Sequence, residues 1–138
     1  MAESLLDRIR AGYAAWNQDD LDKTLAFLTE DVEWLTSASF PGTRHVYRGH
    51  DGFKEFWGHL HEPWDDVHVE IESYQREGEV AILRIRFHGT SKASGVSVDL
   101  PWFQVVIIED DLIKRSALDR SVSDALEALD VGDSFPEF

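Results

Sequence analysis

The hydrophobic period of this chain changes at Pro63, and that change limits the possible folds more than any other feature. Before it, apolar residues recur at helical spacing: Leu5, Leu6, Ile9, Tyr13 and Trp16, then Leu21, Leu25 and Leu28, then Phe53, Phe56, Trp57 and Leu60. After it, apolar and polar residues alternate. Val67, Val69 and Ile71 stand against His68, Glu70 and Glu72, and Ala81, Leu83, Ile85 and Phe87 stand against Ile82, Arg84, Arg86 and His88. Helices first and strands afterwards predict an α+β domain with an antiparallel sheet, not an alternating βαβ fold.

Punctuation residues divide the two halves. Ser4, with Asp7 three residues on, reads as the N-cap of a helix over 4–16. Asp19 or Asp20 caps a shorter helix from Leu21, and Gly49-His50-Asp51-Gly52 opens the third. Residues 32–36 read as a short strand, followed by an irregular stretch over 37–48 that contains Pro41-Gly42. Gly78 marks a turn, residues 89–95 a turn-rich connection, and Glu109-Asp110-Asp111 a hairpin between strands at 96–108 and 112–119. Ser121 caps a final helix carrying Val122, Ala125, Leu126 and Leu129. The expected organisation is one domain over 1–131 with a flexible tail over 132–138.

With 138 residues, the chain is long enough for one core and too short for two. Its 27 acidic against 13 basic residues give a net charge of −14, which repels phosphate backbones, and no basic patch offsets it, so nucleic acid is not an expected partner. No apolar run approaches the ~18 residues of a membrane span, and Met1-Ala2-Glu3-Ser4 leads into a polar helix. The absence of cysteine excludes disulfides, thiol nucleophiles and thiolate metal sites. A soluble cytoplasmic protein is the expectation.

The strand at 96–108 is apolar on both faces, with Trp102, Val106 and Ile108 on one side and Pro101, Phe103, Val105 and Ile107 on the other. Both faces should therefore be covered. The helical half covers one of them, and a homodimer through the outer face is expected to cover the other, the alternative being the irregular segment or the tail.

Aromatic residues make up 12% of the chain, and those on helix stripes and strands converge on one interior. The plain reading is an aromatic core. Several tryptophans are hard to pack without voids, however, so an apolar cavity walled by Tyr13, Trp16, Trp34, Phe53, Trp57, Phe87 and Trp102 is expected. Two polar residues stand out against that lining. Gln104 lies between Trp102 and Val106 on one strand face, and Asp119 ends the last strand. A carboxylate in an apolar pocket shuttles protons, and an amide anchors a carbonyl or an oxyanion. Against these stand a satisfied buried amide for Gln104, and a helix cap or an arginine salt bridge for Asp119. His59 and His61, at i, i+2 on a helix, do not share a face, no HExxH motif is present, and no metal is expected. No phosphate loop or nucleophile elbow is present.

Three stretches carry a resemblance: Tyr13-Ala14-Ala15-Trp16-Asn17-Gln18-Asp19-Asp20-Leu21-Asp22, Leu28-Thr29-Glu30-Asp31-Val32-Glu33-Trp34 and Tyr47-Arg48-Gly49-His50-Asp51-Gly52. With Asp111-Leu112-Ile113 and Asp124-Ala125-Leu126-Glu127-Ala128, the chain resembles the SnoaL-like branch of the nuclear transport factor 2-like superfamily. The resemblance implies a cone-shaped α+β fold, a curved antiparallel sheet wrapped around helices, a deep apolar pocket and a dimer through the sheet. The superfamily holds isomerases, polyketide cyclases, epoxide hydrolases, dehydratases and binding proteins. The isomerase tyrosine falls near Gly12 or Tyr13, its base near Thr36, and its oxyanion-hole aspartate near Phe103 or Gln104, and no carboxylate stands at the base position. The acid/base aspartate of the cyclases falls at Asp119 or its neighbour. The resemblance thus implies a cofactor-free cyclase or isomerase acting on a hydrophobic, ring-containing metabolite, with Asp119 and Gln104 as its polar groups. The alternative is a non-catalytic binder of such a molecule.

Overall fold

A computed structural model of the chain describes residues 5–37 and 46–130. The Ser4 cap, the Pro41-Gly42 turn and the tail expected over 132–138 lie outside the described residues. Among the described residues, four helices and six strands follow in order: α1 (Leu5–Asn17), α2 (Leu21–Leu25), β1 (Leu28–Thr36), β2 (Val46–Arg48), α3 (Gly49–His61), β3 (Trp64–Glu77), β4 (Val80–Ser91), β5 (Ser97–Glu109), β6 (Leu112–Asp119) and α4 (Val122–Ala128). The strands form one open, curved sheet in the order β2-β1-β6-β5-β4-β3, in which β1 and β6 run parallel and every other neighbour is antiparallel. The fold is the α+β arrangement expected from the change of period, with the curved sheet around helices that the resemblance implies.

Two departures have local causes. Residues 46–48 form β2 because Tyr47 pairs with Trp34 across β1, and a strand of three residues is too short to carry a period of its own. Leu28, placed by its spacing on the second helix, instead opens β1, because its partner there is Ile113 of β6. The expected caps elsewhere are formed: an Asp20 side-chain oxygen accepts from the Lys23 N–H at 3.1 Å, and Ser121 Oγ accepts from the Asp124 N–H at 3.1 Å.

The concave face of the sheet holds the main core. Leu83, Ile85 and Phe87 of β4, Trp102, Val106 and Ile108 of β5 and Leu118 of β6 pack there against Ile9 and Trp16 of α1 and Phe53, Phe56 and Leu60 of α3. A smaller core lies on the convex face. Ala125, Leu126 and Leu129, from α4 and the residue after it, close over Ile82, Val105 and Ala117, with Leu35, Val80 and Ile107 at the margin.

This second core covers part of the outer face on which a partner subunit is expected. Val105 is fully buried by its own chain, and further along the convex face β3, β4 and β5 present Glu72, Arg84, Arg86 and Asp99, joined in ion pairs. The alternation of β5 is as read from the sequence, and of its outer apolar residues α4 covers Val105 and Ile107, while Phe103 is half-buried and Pro101 exposed. Shortening Leu126 to Ala leaves a void over Val105 and is expected to lower unfolding stability by about 3 kcal/mol, read from urea denaturation. An unchanged midpoint would mean that α4 does not carry this core.

Candidate functional site

Tyr13 and Trp16 lie one turn apart on α1, Trp34 is on β1, Phe53 on α3, and Gln104 on the concave side of β5. Gln104 is 1% exposed and is paired at both ends of its amide. Its Oε1 accepts from the Tyr13 hydroxyl at 2.5 Å, and its Nε2 donates to Ser116 Oγ of β6 at 2.9 Å. The relay Tyr13–Gln104–Ser116 therefore runs from the helical layer into the sheet. Tyr13 is partly exposed along its helix, but its hydroxyl reaches the buried amide. Burial pushes the phenol well above its usual pKa, and the hydrogen bond to Gln104 offsets only part of that.

The rings around this relay pack edge to face. Trp34 meets Phe53 at 5.0 Å and 87°, and Trp16 meets Trp57 at 4.9 Å and 68°. They leave a cavity of about 40 Å³ lined by Tyr13, Trp16, Trp34, Phe53 and Gln104. Its mouth lies between Leu5, Arg8 and Gly12 on α1, Phe27, and Asp111 and Ile113 at the last hairpin. Arg8 spans that mouth, its Nε donating to the Asp111 carbonyl at 3.1 Å and its guanidinium lying 5.6 Å from the centre of the Phe27 ring. Gly12 lets α1 approach, since a Cβ there would stand 3.3 Å from Phe27 Cγ. The indole N–H groups of Trp16 and Trp34 are buried and have no hydrogen-bond partner. Each is a donor stripped of water without compensation.

The residues singled out from sequence divide into three groups. Tyr13, Trp16, Trp34, Phe53 and Gln104 are brought together around the cavity. Phe87 lies deeper, beside a void of about 10 Å³ that Trp16, Trp34 and Leu118 also border, and Trp102 is buried in the core. Trp57 is half-buried and stacks on His61 at 4.5 Å.

Asp119 is not brought to Gln104. It pairs with Phe103 on the convex side, and one of its oxygens accepts the Arg120 N–H at 2.8 Å. The reason is a bulge. Ile108 pairs with Ile113 but Ile107 pairs with Arg115, so Lys114 is an extra residue that reverses the phase of β6. Ile113 borders the cavity, whereas Ala117 and Asp119 face the other way.

Arg8, Phe27 and Ser116 were not legible as site residues. Ser116 becomes so only once β6 is paired in register with β5. His59 and His61 are engaged locally, with Tyr47 Oη and the Trp57 carbonyl, each at 2.8 Å. A second, wide and polar cleft of about 570 Å³ lies at the β3 end of the molecule, lined by Asp19, His61, Trp64, Asp65, Asp66, His68 and Lys92.

The raised pKa of Tyr13 has a sign. The folded state keeps the phenol protonated where the unfolded chain releases it, so its contribution to stability is intact below about pH 10 and is lost as pH rises beyond that. Between pH 9 and 11 the wild type is expected to lose about 1 kcal/mol more unfolding stability than Tyr13→Phe. Parallel losses in the two proteins would show that the phenol is not protected.

Comparison with known proteins bears on the fold. A family model described as a SnoaL-like domain matches residues 9–116. No curated protein matches the chain. Among solved structures, a nuclear transport factor 2-like protein of unknown function from Burkholderia pseudomallei is similar at TM-score 0.78 and 20% identity, covering 92% of this chain and 98% of its own. TerC crystallised with polyporic acid is similar at TM-score 0.77 and 20% identity, covering 91% and 98%. A protein of ketosteroid isomerase-like fold from Catenulispora acidiphila, in complex with trimethylamine, reaches TM-score 0.73 at 15% identity, covering 94% and 97%. At these identities the likeness speaks for the fold alone. The family model spans most of the cone, from α1 into β6, and by that match the chain belongs to the SnoaL-like domain family.

Proposed function

We propose that this chain binds a small, largely apolar molecule carrying an acceptor oxygen, such as a cyclic ketone. The observation that carries this reading is an otherwise apolar cavity walled in part by Trp16 and Trp34, whose buried indole N–H groups have no protein partner. An unpaired buried donor costs roughly 1–3 kcal/mol, and a carbonyl oxygen reaching it recovers much of that.

Binding without catalysis fits the polar groups better than acid–base chemistry does. The cavity lining offers donors, while its one carboxylate, Asp111, stands at the exposed mouth, and Asp119 lies across the sheet. A cofactor-free isomerase or cyclase is the second reading. It rests on Tyr13, whose neutral phenol would donate to a developing enolate oxygen by turning its one O–H away from Gln104 Oε1.

A ring needs more room than the cavity holds, since a benzene-sized guest occupies a void of roughly 150 Å³. On this reading entry requires the first two turns of α1 to swing from Phe27 and the last hairpin, and Arg8 holds them down. Arg8→Ala is expected to speed association severalfold in stopped-flow tryptophan fluorescence. A rate equal to that of the wild type would locate the entrance elsewhere.

The test is a fluorescence titration of cyclic ketones against hydrocarbons of equal size. Ketones are expected to bind about tenfold more tightly, one or two hydrogen bonds' worth, and Trp34→Phe is expected to remove most of that preference. Equal affinity for ketone and hydrocarbon, or no binding by either, would reject the proposal.

A further inference from the structure

The convex face of the sheet carries a cluster that the proposed function does not use. His68 and Glu70 lie two residues apart on β3 and so project from the same face, and His88 of β4 is the direct cross-strand partner of His68. The two imidazoles stack at 4.3 Å with 7° between their planes. One ligand atom from each of His68, Glu70 and His88 lies within 4.8 Å of the other two. We propose that His68, Glu70 and His88 form a binding site for a divalent transition-metal ion, of which zinc is the reference case.

The orientation of His88 sets this cluster apart from an ordinary ladder of surface charges. Its Nε2 is buried, has no hydrogen-bond partner, and stands 3.4 Å from Glu70 Oε2. Its other nitrogen, Nδ1, faces Asp99 Oδ1 at 3.9 Å, and that carboxylate is fixed by Arg86 at 2.6 Å. The orientation is like that of a metal-binding histidine, with one nitrogen facing an outer carboxylate, beyond hydrogen-bond distance at 3.9 Å, and the other left for the ion. Zinc bonds to imidazole nitrogen and carboxylate oxygen are about 2.0–2.2 Å, which sets tetrahedral ligands about 3.4 Å apart. Bringing the three atoms from within 4.8 Å to that spacing requires side-chain rotation that also turns the two parallel imidazole planes toward a common point.

Two imidazoles and one carboxylate favour zinc, nickel or copper over magnesium and calcium, which prefer oxygen ligands. The charges nearby permit a cation, because Glu70, Glu72 and Asp99 outnumber Arg84 and Arg86. An ion has a way in, since His68 is exposed and also borders the wide polar cleft. The signal in the sequence is faint. His68 and Glu70 alone are an ordinary solvated strand edge, and His88 joins them only through the register Val69↔Phe87.

The full chain, stripped with a chelator, is titrated with zinc chloride by calorimetry, with magnesium chloride as comparison. One zinc per chain is expected, with no magnesium uptake. His68→Gln and His88→Gln are each expected to weaken zinc binding at least tenfold while leaving the zinc-free melting temperature and circular dichroism unchanged. Zinc is also expected to raise the melting temperature of the wild type and not that of either variant. Should either variant fold poorly, Glu70→Gln, at an exposed position, is expected to weaken zinc binding in the same direction. Failure of the wild type to take up zinc saturably, or uptake of equal strength in the variants, overturns the proposal.

Discussion

A primary amide deep in an apolar interior must have both of its ends paired, and in this protein that requirement falls on Gln104. Its oxygen is satisfied by a helix and its nitrogen by a neighbouring strand, so α1 cannot shift along the concave face without stranding a buried polar group. Apolar contacts alone would let that helix slide or roll with little loss, because methyl groups and ring edges are forgiving of small displacements. The hydrogen bonds turn non-directional packing into a fixed docking. The position of Tyr13, of Trp16 one turn later, and of the cavity between them follows from that single arrangement.

The same logic accounts for where sequence reasoning worked and where it stopped. Strand alternation assigns Leu83, Ile85 and Phe87 to one face and Arg84, Arg86 and His88 to the other, because β4 has no bulge between those positions. In β6 the identical reasoning puts Ile113 and Asp119 on one face, and the extra residue at Lys114 separates them. A bulge is a property of a pair of strands. It depends on which carbonyls and amides meet across the ladder, and one strand's composition does not carry that information. The walls of the cavity were accessible to pattern reading, while the partner of Gln104 was not: it came from a helix thirteen residues into the chain, and its identity depends on three-dimensional docking.

The aromatic residues show a related limit. Their number and spacing do indicate one shared interior, but spacing says nothing about ring angles. Edge-to-face and tilted contacts among Trp16, Trp34, Phe53 and Phe56 fill space that parallel rings would leave open, and the void shrinks to tens of cubic ångströms. What the rings cannot do is satisfy their own N–H groups. Filling the volume and pairing the donors are separate requirements. The interior meets the first closely and leaves the second unmet at two indoles, which is why polarity rather than size distinguishes this cavity from ordinary core.

The two faces of the sheet solve different problems with the same strands. On the concave side the burial is continuous, and function, if it resides there, must work within a packed interior. On the convex side α4 buries only the β4–β6 part, and the β3 end remains a lattice of acids, arginines and imidazoles. A twisted sheet cannot be covered along its whole length by a helix of seven residues, so α4 leaves part of this face uncovered. A polar surface accounts for charges there, and the paired signs limit self-repulsion in a chain of net charge −14. It does not account for an imidazole turned edge-on between two carboxylates with one nitrogen buried and unpaired. Rigid backbone, fixed cross-strand spacing and an orphaned nitrogen are what a coordinating group requires, and among the described residues they coincide where β3 meets β4.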